Sequence, residues 1–377
     1  MKLVFLISSL GAGGAERVVT LIANHLVGLN FKVSIITFDS DKKDFYKLNS
    51  YIDRHCLNLT MKSGGLFDSL VNTFKRIKKI RCVLKKIQPS IIVSFLDKTN
   101  SLAVLSNSFL PSKVFISDRS NPNIALFDSY LKSLLWKFVR KITYCLADGL
   151  VVQTNASKHY FVGKVGVRNV EAIPNPVGSL DLMWSNNFDQ KIAKFFAFSH
   201  KIVALGRLSP EKGFDLLLKA FEIVKSEEKN VALGIIGDGP LAQSLISSVS
   251  ELDLNQRVFF FGRRENPFPI LARSSCFVLS SRFEGFPNSL LEAQSLGLPC
   301  VAFNCSYGPS DIIEDGFNGL LVEPENPVLL ARAILKVLKD PLLAKKISKN
   351  AKKASERFNL HNVCELWLNF ILKGSIS

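Results

Sequence analysis

The feature that most constrains this chain is a rhythm of short apolar runs alternating with helical patterns, which begins at residue 2 and starts afresh near residue 200. Residues 2–9, 31–38, 90–96, 113–117 and 149–153 are apolar runs of strand length, with helical patterns such as 15–28 between them. A second series follows at 201–206, 231–236, 257–261, 276–280, 298–303 and 319–322. Strands that are apolar on both faces, each followed by a helix, make a parallel sheet covered on both sides. The expected fold is therefore α/β, with two Rossmann-like domains facing a cleft. The expected division is 1–177, a polar connection at 178–200, 201–360, and a terminal helix at 361–377 that returns to the first domain. In such sheets ligands sit beyond the carboxyl ends of the strands.

Composition narrows the classes further. A chain of 377 residues is comfortable as two domains, and 47% apolar against 21% charged residues is a globular balance. The seven cysteines form no CxxC pair and no cluster with histidine, which excludes a zinc site and a disulfide framework and points to reduced thiols in the cytoplasm. The opening MKLVFLISSL runs into GAGGAER without a cleavage pattern and reads as a first buried strand. No apolar stretch is long enough to span a membrane. Charge is one-sided: up to Asn175 there are 25 Lys and Arg against 11 Asp and Glu, a net +14, whereas the remainder is only +2. A basic first half implies an anionic partner: nucleic acid, an anionic membrane surface or a phosphorylated substrate.

The segment RFEGFPNSLLEA, residues 282–293, carries the most chemistry. Pro287, Asn288 and Ser289 are helix-start residues, and the apolar spacing carries a helix to a stop at Gly297. Glu284 then lies just before the helix and Glu292 about one turn inside it. A helix start favours an anion, and two carboxylates beside it can grasp hydroxyls, which suits a sugar phosphate. Taken alone, the pair reads first as a solvated loop charge and an ordinary surface helix residue, and the rest of the chain must shift that balance.

Four further loops end strands. LGAGGAER, 10–17, places Gly11, Gly13 and Gly14 before a helix; it resembles a dinucleotide fingerprint, with Asp39 as the ribose acid, but Glu16 takes the third glycine position and opposes a pyrophosphate. GRLSPEKG, 206–213, sets Arg207 and Lys212 five positions apart, a pair suited to a diphosphate. IGDGP, 236–240, holds Gly237 in a tight turn, and FGRRENP, 261–267, offers Arg263 as a border for a base.

Two Rossmann-like halves, an early Gly-Gly loop, GRLSPEKG, and glutamates eight apart at 284 and 292 together resemble the retaining GT-B glycosyltransferases of family 4, over essentially the whole chain. The resemblance implies a UDP-sugar donor and no metal or other cofactor. It implies that Arg207 and Lys212 hold the donor diphosphate, that Glu292 takes the ribose hydroxyls, and that Glu284 meets the transferred sugar. Phe286, Asn288, Ser289 and Leu290 line the helix start, Gly237 and Arg263 border the nucleotide, and Gly13 and Gly14 border the donor phosphate from the first domain. Glu16 and Arg17 fall on the acceptor side. One departure lies in ISDRSNP, 116–122, where many relatives carry a histidine that contacts the sugar; here Asp118 and Arg119 stand in its place and inherit the expectation of a catalytic contact. The triplet Asp39-Ser40-Asp41 is a DxD-like candidate for metal, but it precedes Lys42 and Lys43 in a polar loop of the wrong domain for a donor.

The basic half points to the acceptor. In 67–87, Phe67, Leu70, Val71, Phe74, Ile77, Ile80, Leu84 and Ile87 share a helical stripe flanked by Lys75, Lys78 and Lys79, the pattern of a helix lying on an anionic membrane. Residues 130–144 repeat it with Trp136. A helix packed on its sheet with a solvated basic face explains the same spacing. The tail, 361–373, is an amphipathic helix containing Trp367 and suited to packing. The expected function is transfer of a hexose or N-acetylhexosamine to a polyprenyl-diphosphate-linked glycan, by a cytoplasmic protein peripheral on the inner membrane face. SYGPSDIIEDGFNGLLV, 306–322, resembles members that use N-acetylgalactosamine donors. The rival classes are a same-fold UDP-sugar epimerase or hydrolase, and a basic nucleic-acid-binding protein. Against the latter, no aromatics interleave with the basic residues and no nucleic-acid motif occurs.

Overall fold

The computed structural model describes residues 1–41, 44–59, 66–119, 130–183 and 190–373, and divides into two compact units, Met1–Pro176 with Phe358–Ser377, and Val177–Arg357. The first unit runs β1 (Lys2–Leu6), α1 (Gly14–Gly28), β2 (Lys32–Thr37), β3 (Asp53–Cys56), α2 (Leu66–Ile87), β4 (Ile91–Phe95), α3 (Asp97–Asn107), β5 (Lys113–Ser117), α4 (Tyr130–Cys145), β6 (Gly149–Val152), α5 (Asn155–Tyr160) and β7 (Val170–Ala172). The second contains α6 (Gln190–Phe196), β8 (His200–Leu205), α7 (Phe214–Glu227), β9 (Val231–Ile236), α8 (Ala242–Glu251), β10 (Val258–Gly262), α9 (Phe268–Ala272), β11 (Cys276–Leu279), α10 (Asn288–Ser295), β12 (Cys300–Phe303), α11 (Pro309–Ile312), β13 (Leu320–Val322), α12 (Pro327–Lys339) and α13 (Pro341–Ser355). The last helix, α14 (Leu360–Lys373), belongs to the first unit.

Every strand pairing in the first sheet is parallel, in the order β3-β2-β1-β4-β5-β6-β7. Successive β1 side chains serve opposite faces: Leu3 and Phe5 pack under α1 and α14, whereas Val4 and Leu6 pack toward α2 and α3. The two strands that the apolar runs miss, β3 (DRHC) and β7 (VEA), are the two edges, where short and polar strands are tolerated. Trp367 and Ile371 of α14 are fully buried in the first unit's core, Trp367 stacked on Phe95 with ring centroids 5.7 Å apart.

The second sheet is also parallel, ordered β10-β9-β8-β11-β12-β13. One face carries α7 and α12 on a continuous apolar core. On the other, Phe195 of α6 meets Phe259 and Phe261 edge to face, and Gly234 of β9 makes room for the Phe195 and Phe261 rings. Thus the stretch 178–200, expected as a bare connection, contains a helix whose aromatic residues complete this face.

In each sheet the strand order reverses between two neighbours, β1 and β4 in the first and β8 and β11 in the second. The crevice outside the carboxyl ends at such a reversal is where doubly wound sheets bind ligands.

Candidate active site

In the second unit, the loops after β8 and β11, the two strands at the reversal, are GRLSPEKG and the start of RFEGFPNSLLEA. The first loop turns at Gly213, whose φ of +61° and position 2.1 Å from the Ser280 carbonyl oxygen, measured from a built Cβ, leave no space for a side chain. Gly237, after β9, has φ +141° and would place a Cβ 1.9 Å from the Gly206 carbonyl oxygen. These two glycines allow the loops to close on each other.

Lys212 and Glu284 then meet. Lys212 Nζ donates to Glu284 Oε1 at 2.7 Å and Oε2 at 2.9 Å, and Ser281 Oγ donates to Oε1 at 2.6 Å. Glu284 is only 8% exposed, so its charge is held by partners rather than by water. Directly beyond it, α10 begins at Asn288 with Pro287 before it and no side chain capping the start. Helix starts carry partial positive charge, so this end favours an anion. Phe286 and Leu290 are buried around the start, Asn288 and Ser289 are half-buried, and Glu292 is buried inside the helix, which ends before Gly297 at φ +74°.

Neighbouring loops frame this group. After β12, Gly308 has φ +100°, and its built Cβ would lie 2.6 Å from Pro287 Cδ, so the loop presses on the start of α10. Cys305 of the same loop borders Glu284; burial first, then that carboxylate, push its thiol up to about 12. Arg207 and Arg263 are exposed at the ends of β8 and β10. The Gly237 N–H donates to the Gly262 carbonyl at 2.9 Å, joining the turn after β9 to the end of β10.

Arg282, which the sequence reading passed over, braces the site. Its Nη1 and Nη2 donate to Asp215 Oδ1 and Oδ2 at 2.8 and 2.6 Å, Nη1 also reaches the Pro210 carbonyl at 2.9 Å, and its backbone N–H bonds the Glu211 carbonyl at 2.8 Å. This fork stitches the GRLSPEKG loop to the Glu284 loop and holds the Asp215 carboxyl below its ordinary range. Its only sequence signal was an arginine opening the glutamate segment.

The first unit presents a different rim. Gly13 caps the start of α1, and the Glu16 side chain folds back over it, with Oε2 2.0 Å from a Cβ built on Gly13. Burial raises the pKa of that carboxylate. Gly14 and Arg17 lie in the same first turn, half-buried or exposed. Asp118 is buried at the end of β5, within 3.0 Å of Tyr144 Oη. Arg119 turns inward: its guanidinium lies 5.0 Å from the Phe95 ring and 5.5 Å from the Trp367 ring and donates to Asn175 Oδ1. Burial lowers its pKa to about 9 against the opposing charge of Asp118. These contacts tie Arg119 to β4, to the segment after β7 and to α14.

Among the described residues no three His, Cys, Asp or Glu side chains are placed to hold one metal ion. Lys42, Lys43, Ser120 to Pro122, and the side chains of Phe67 and Leu70 lie outside the described residues. On α2, Ile80 and Leu84 are core residues and Ile77 and Ile87 pack against them, so four of the six described residues of the stripe expected to face a membrane face the sheet. Phe74, Lys75, Lys78 and Lys79 are exposed, whereas Trp136 of α4 is half-buried.

A model of glycosyl transferases group 1 matches residues 187–354, and one of glycosyltransferase family 4 matches 12–178. A Campylobacter jejuni α-1,4-N-acetyl-D-galactosaminyltransferase acting on a diNAcBac-PP-undecaprenol-linked glycan is 30% identical over 98% of both chains. A second C. jejuni enzyme, an N-acetylgalactosamine-N,N'-diacetylbacillosaminyl-diphospho-undecaprenol 4-α-N-acetylgalactosaminyltransferase, is 27% identical over 98% of this chain and 99% of its own. Among solved structures, Anabaena HepE in complex with UDP superposes with TM-score 0.77 at 19% identity over 99% and 100% of the two chains, and a Thermosynechococcus elongatus sucrose-phosphate synthase with 0.81 at 18% over 99% of each. The two parallel Rossmann-like sheets and these neighbours give the GT-B fold, and the matched family models and relatives are glycosyltransferases. The chain belongs to the family 4 glycosyltransferases.

Proposed function

We propose that this glycosyltransferase moves a hexose or N-acetylhexosamine, with N-acetylgalactosamine the first candidate, from a UDP-sugar to a polyprenyl-diphosphate-linked glycan in surface-polysaccharide or glycan assembly. The observation that carries the reading is the Lys212–Glu284 pair beside the uncapped start of α10, at the strand reversal of the second sheet. The sugar and acceptor classes are supported by what the two C. jejuni relatives act on.

In this reading Glu284 accepts hydrogen bonds from hydroxyls of the transferred sugar, and Glu292 takes the ribose. Phe286, Asn288, Ser289 and Leu290 form the wall at the helix start, with Gly237 and Arg263 beside the nucleotide. As the glycosidic bond loosens, negative charge gathers on the departing diphosphate. Arg207, Lys212 and the positive end of α10 stabilise it, which makes a good leaving group without a strong base. The departing phosphate takes the acceptor hydroxyl's proton, and the acceptor attacks from the face the leaving group vacates, so configuration is retained. Glu16 and Arg17 are kept for the acceptor. The protein works peripherally on the inner face of the cytoplasmic membrane, drawn by the basic first half and by exposed Phe74, Lys75, Lys78 and Lys79. No described helix is long and apolar enough to cross a membrane.

The test is nucleotide release from a panel of UDP- and GDP-sugars in EDTA, with and without a lipid-linked glycan fraction. Release confined to one UDP-sugar and dependent on the lipid acceptor supports the reading. Equal release without acceptor replaces it with a hydrolase or epimerase, and release that needs added metal removes the metal-free mechanism.

A further inference from the structure

Lys212 and Glu284 share their exposure unequally. The Glu284 side chain is 7% exposed and the Lys212 side chain 23%, so a ligand reaches the pair from the lysine end. Their bonds can be counted against their capacity. An ammonium has three N–H donors, and Lys212 gives two of them to Glu284. One is left for a ligand. A carboxylate has about four acceptor places; on Glu284, Oε1 takes Lys212 and Ser281, and Oε2 takes Lys212. One place on Oε2 is left, enough for a single hydroxyl.

The buried carboxylate therefore stands directly behind the ammonium that would meet an anion. Cys305, from the loop after β12, borders it too, but with its thiol pushed up to about 12 that neighbour is uncharged at neutral pH. A like charge at such range repels strongly where water is scarce. The arrangement sorts phosphates by charge. The terminal phosphate of a free nucleoside diphosphate carries about −1.5 to −2 at neutral pH. Esterified to a sugar, the same phosphate keeps a single negative charge, and the sugar brings a hydroxyl for the open place on Oε2.

We propose that Glu284 is the residue that distinguishes a sugar nucleotide from its nucleoside diphosphate product, by opposing the extra charge of the product and bonding one hydroxyl of the donor. This rests on the donor reading above and deepens it. When the bond between the anomeric carbon and the diphosphate oxygen breaks, the acceptor oxygen bonds the carbon and its proton passes to the diphosphate oxygen. The diphosphate is then no more charged than the donor was. Once that proton is lost to water, the added charge lies beside Glu284 and favours release.

The experiment is calorimetric binding in EDTA of three ligands, UDP, its terminal methyl ester and UDP-N-acetylgalactosamine, to wild type and to Glu284→Gln. The methyl ester has the charge of the sugar nucleotide without its hydroxyls, so the two contributions separate. Wild type is expected to bind UDP-N-acetylgalactosamine most tightly, the methyl ester next and UDP least. In Glu284→Gln, UDP should bind about tenfold more tightly than in wild type, the order expected for removing one partly screened like charge. The preferences for the ester over UDP and for the sugar nucleotide over the ester should both shrink. Wild type that binds UDP as tightly as the methyl ester overturns the charge discrimination without recourse to any variant. A folded glutamine variant that binds UDP no tighter than wild type takes that discrimination away from Glu284, and one that keeps the full preference for the sugar nucleotide over the ester removes the hydroxyl contact. Folded wild type that binds none of the three ligands would instead strike the donor reading itself.

Discussion

Lys212 Nζ stands 2.7 Å from one oxygen of Glu284 and 2.9 Å from the other, an ion pair formed between residues 72 positions apart in the chain. In the proposed reading the pair holds a diphosphate and a sugar side by side. Glu284→Ala and Arg207→Ala are expected to abolish measurable turnover, a loss of at least about 10²–10³-fold on the scale of one removed transition-state contact. Circular dichroism should show both variants folded. A near-normal rate in either one removes that residue from the site.

The Arg282 fork on Asp215 predicts a binding defect more than a chemical one. Arg282→Ala releases the GRLSPEKG loop from the Glu284 loop, so KM for the donor should rise by more than kcat falls. The pair also has a pH signature. The Asp215 carboxyl is held below its ordinary value, first by hydrogen bonds from Arg282, so its contribution to stability is present above that ordinary value and disappears as pH falls through the lowered one. In Arg282→Ala that contribution is already absent, so Tm should be lower at neutral pH and fall less than in the wild type as pH drops through this interval.

Gly237→Ala tests the close approach of the loops. The added Cβ would fall 1.9 Å from the Gly206 carbonyl oxygen, at a φ that other residues rarely adopt. A lower Tm together with weaker UDP binding by calorimetry is the expected outcome; a variant that binds UDP like wild type contradicts the packing described.

Trp367→Ala should remove the anchor of α14. The side chain is 2% exposed and stacks on Phe95 under Arg119, so the loss is expected to be about 3–5 kcal/mol. Urea unfolding monitored by fluorescence of the remaining tryptophans checks it.

Glu16→Gln should stabilise the fold at neutral pH. Burial raises the Glu16 pKa, so the folded state holds that proton more tightly than the unfolded chain does. Stability attributable to Glu16 is full below its ordinary value and declines as pH rises through the raised one. The glutamine variant, uncharged throughout, should show a smaller fall in Tm over that interval.

The sequence alone was enough for the two parallel sheets, the family, and the glycine-bearing loops at the strand ends. Buried parallel strands must be apolar on both faces, and tight loops at strand ends must use glycine, so both features are written locally. Edge strands β3 and β7 were not legible because an edge needs neither length nor an apolar run. Helical spacing showed that α2 and α4 each own an apolar stripe but not which way it points. In α2 the stripe packs on the sheet through Ile80 and Leu84, and in α4 the carboxylates at the ends of β4 and β5 draw the polar-tipped residues inward and leave the apolar ones outside. Likewise the position of Arg119 after β5 is legible in the sequence, but not that the rings of Phe95 and Trp367, from distant parts of the chain, lie against it. Period and turn chemistry are properties of neighbouring residues and survive in the sequence; the direction of a helix face and the partner of a buried charge depend on contacts between residues far apart, which only the tertiary structure decides.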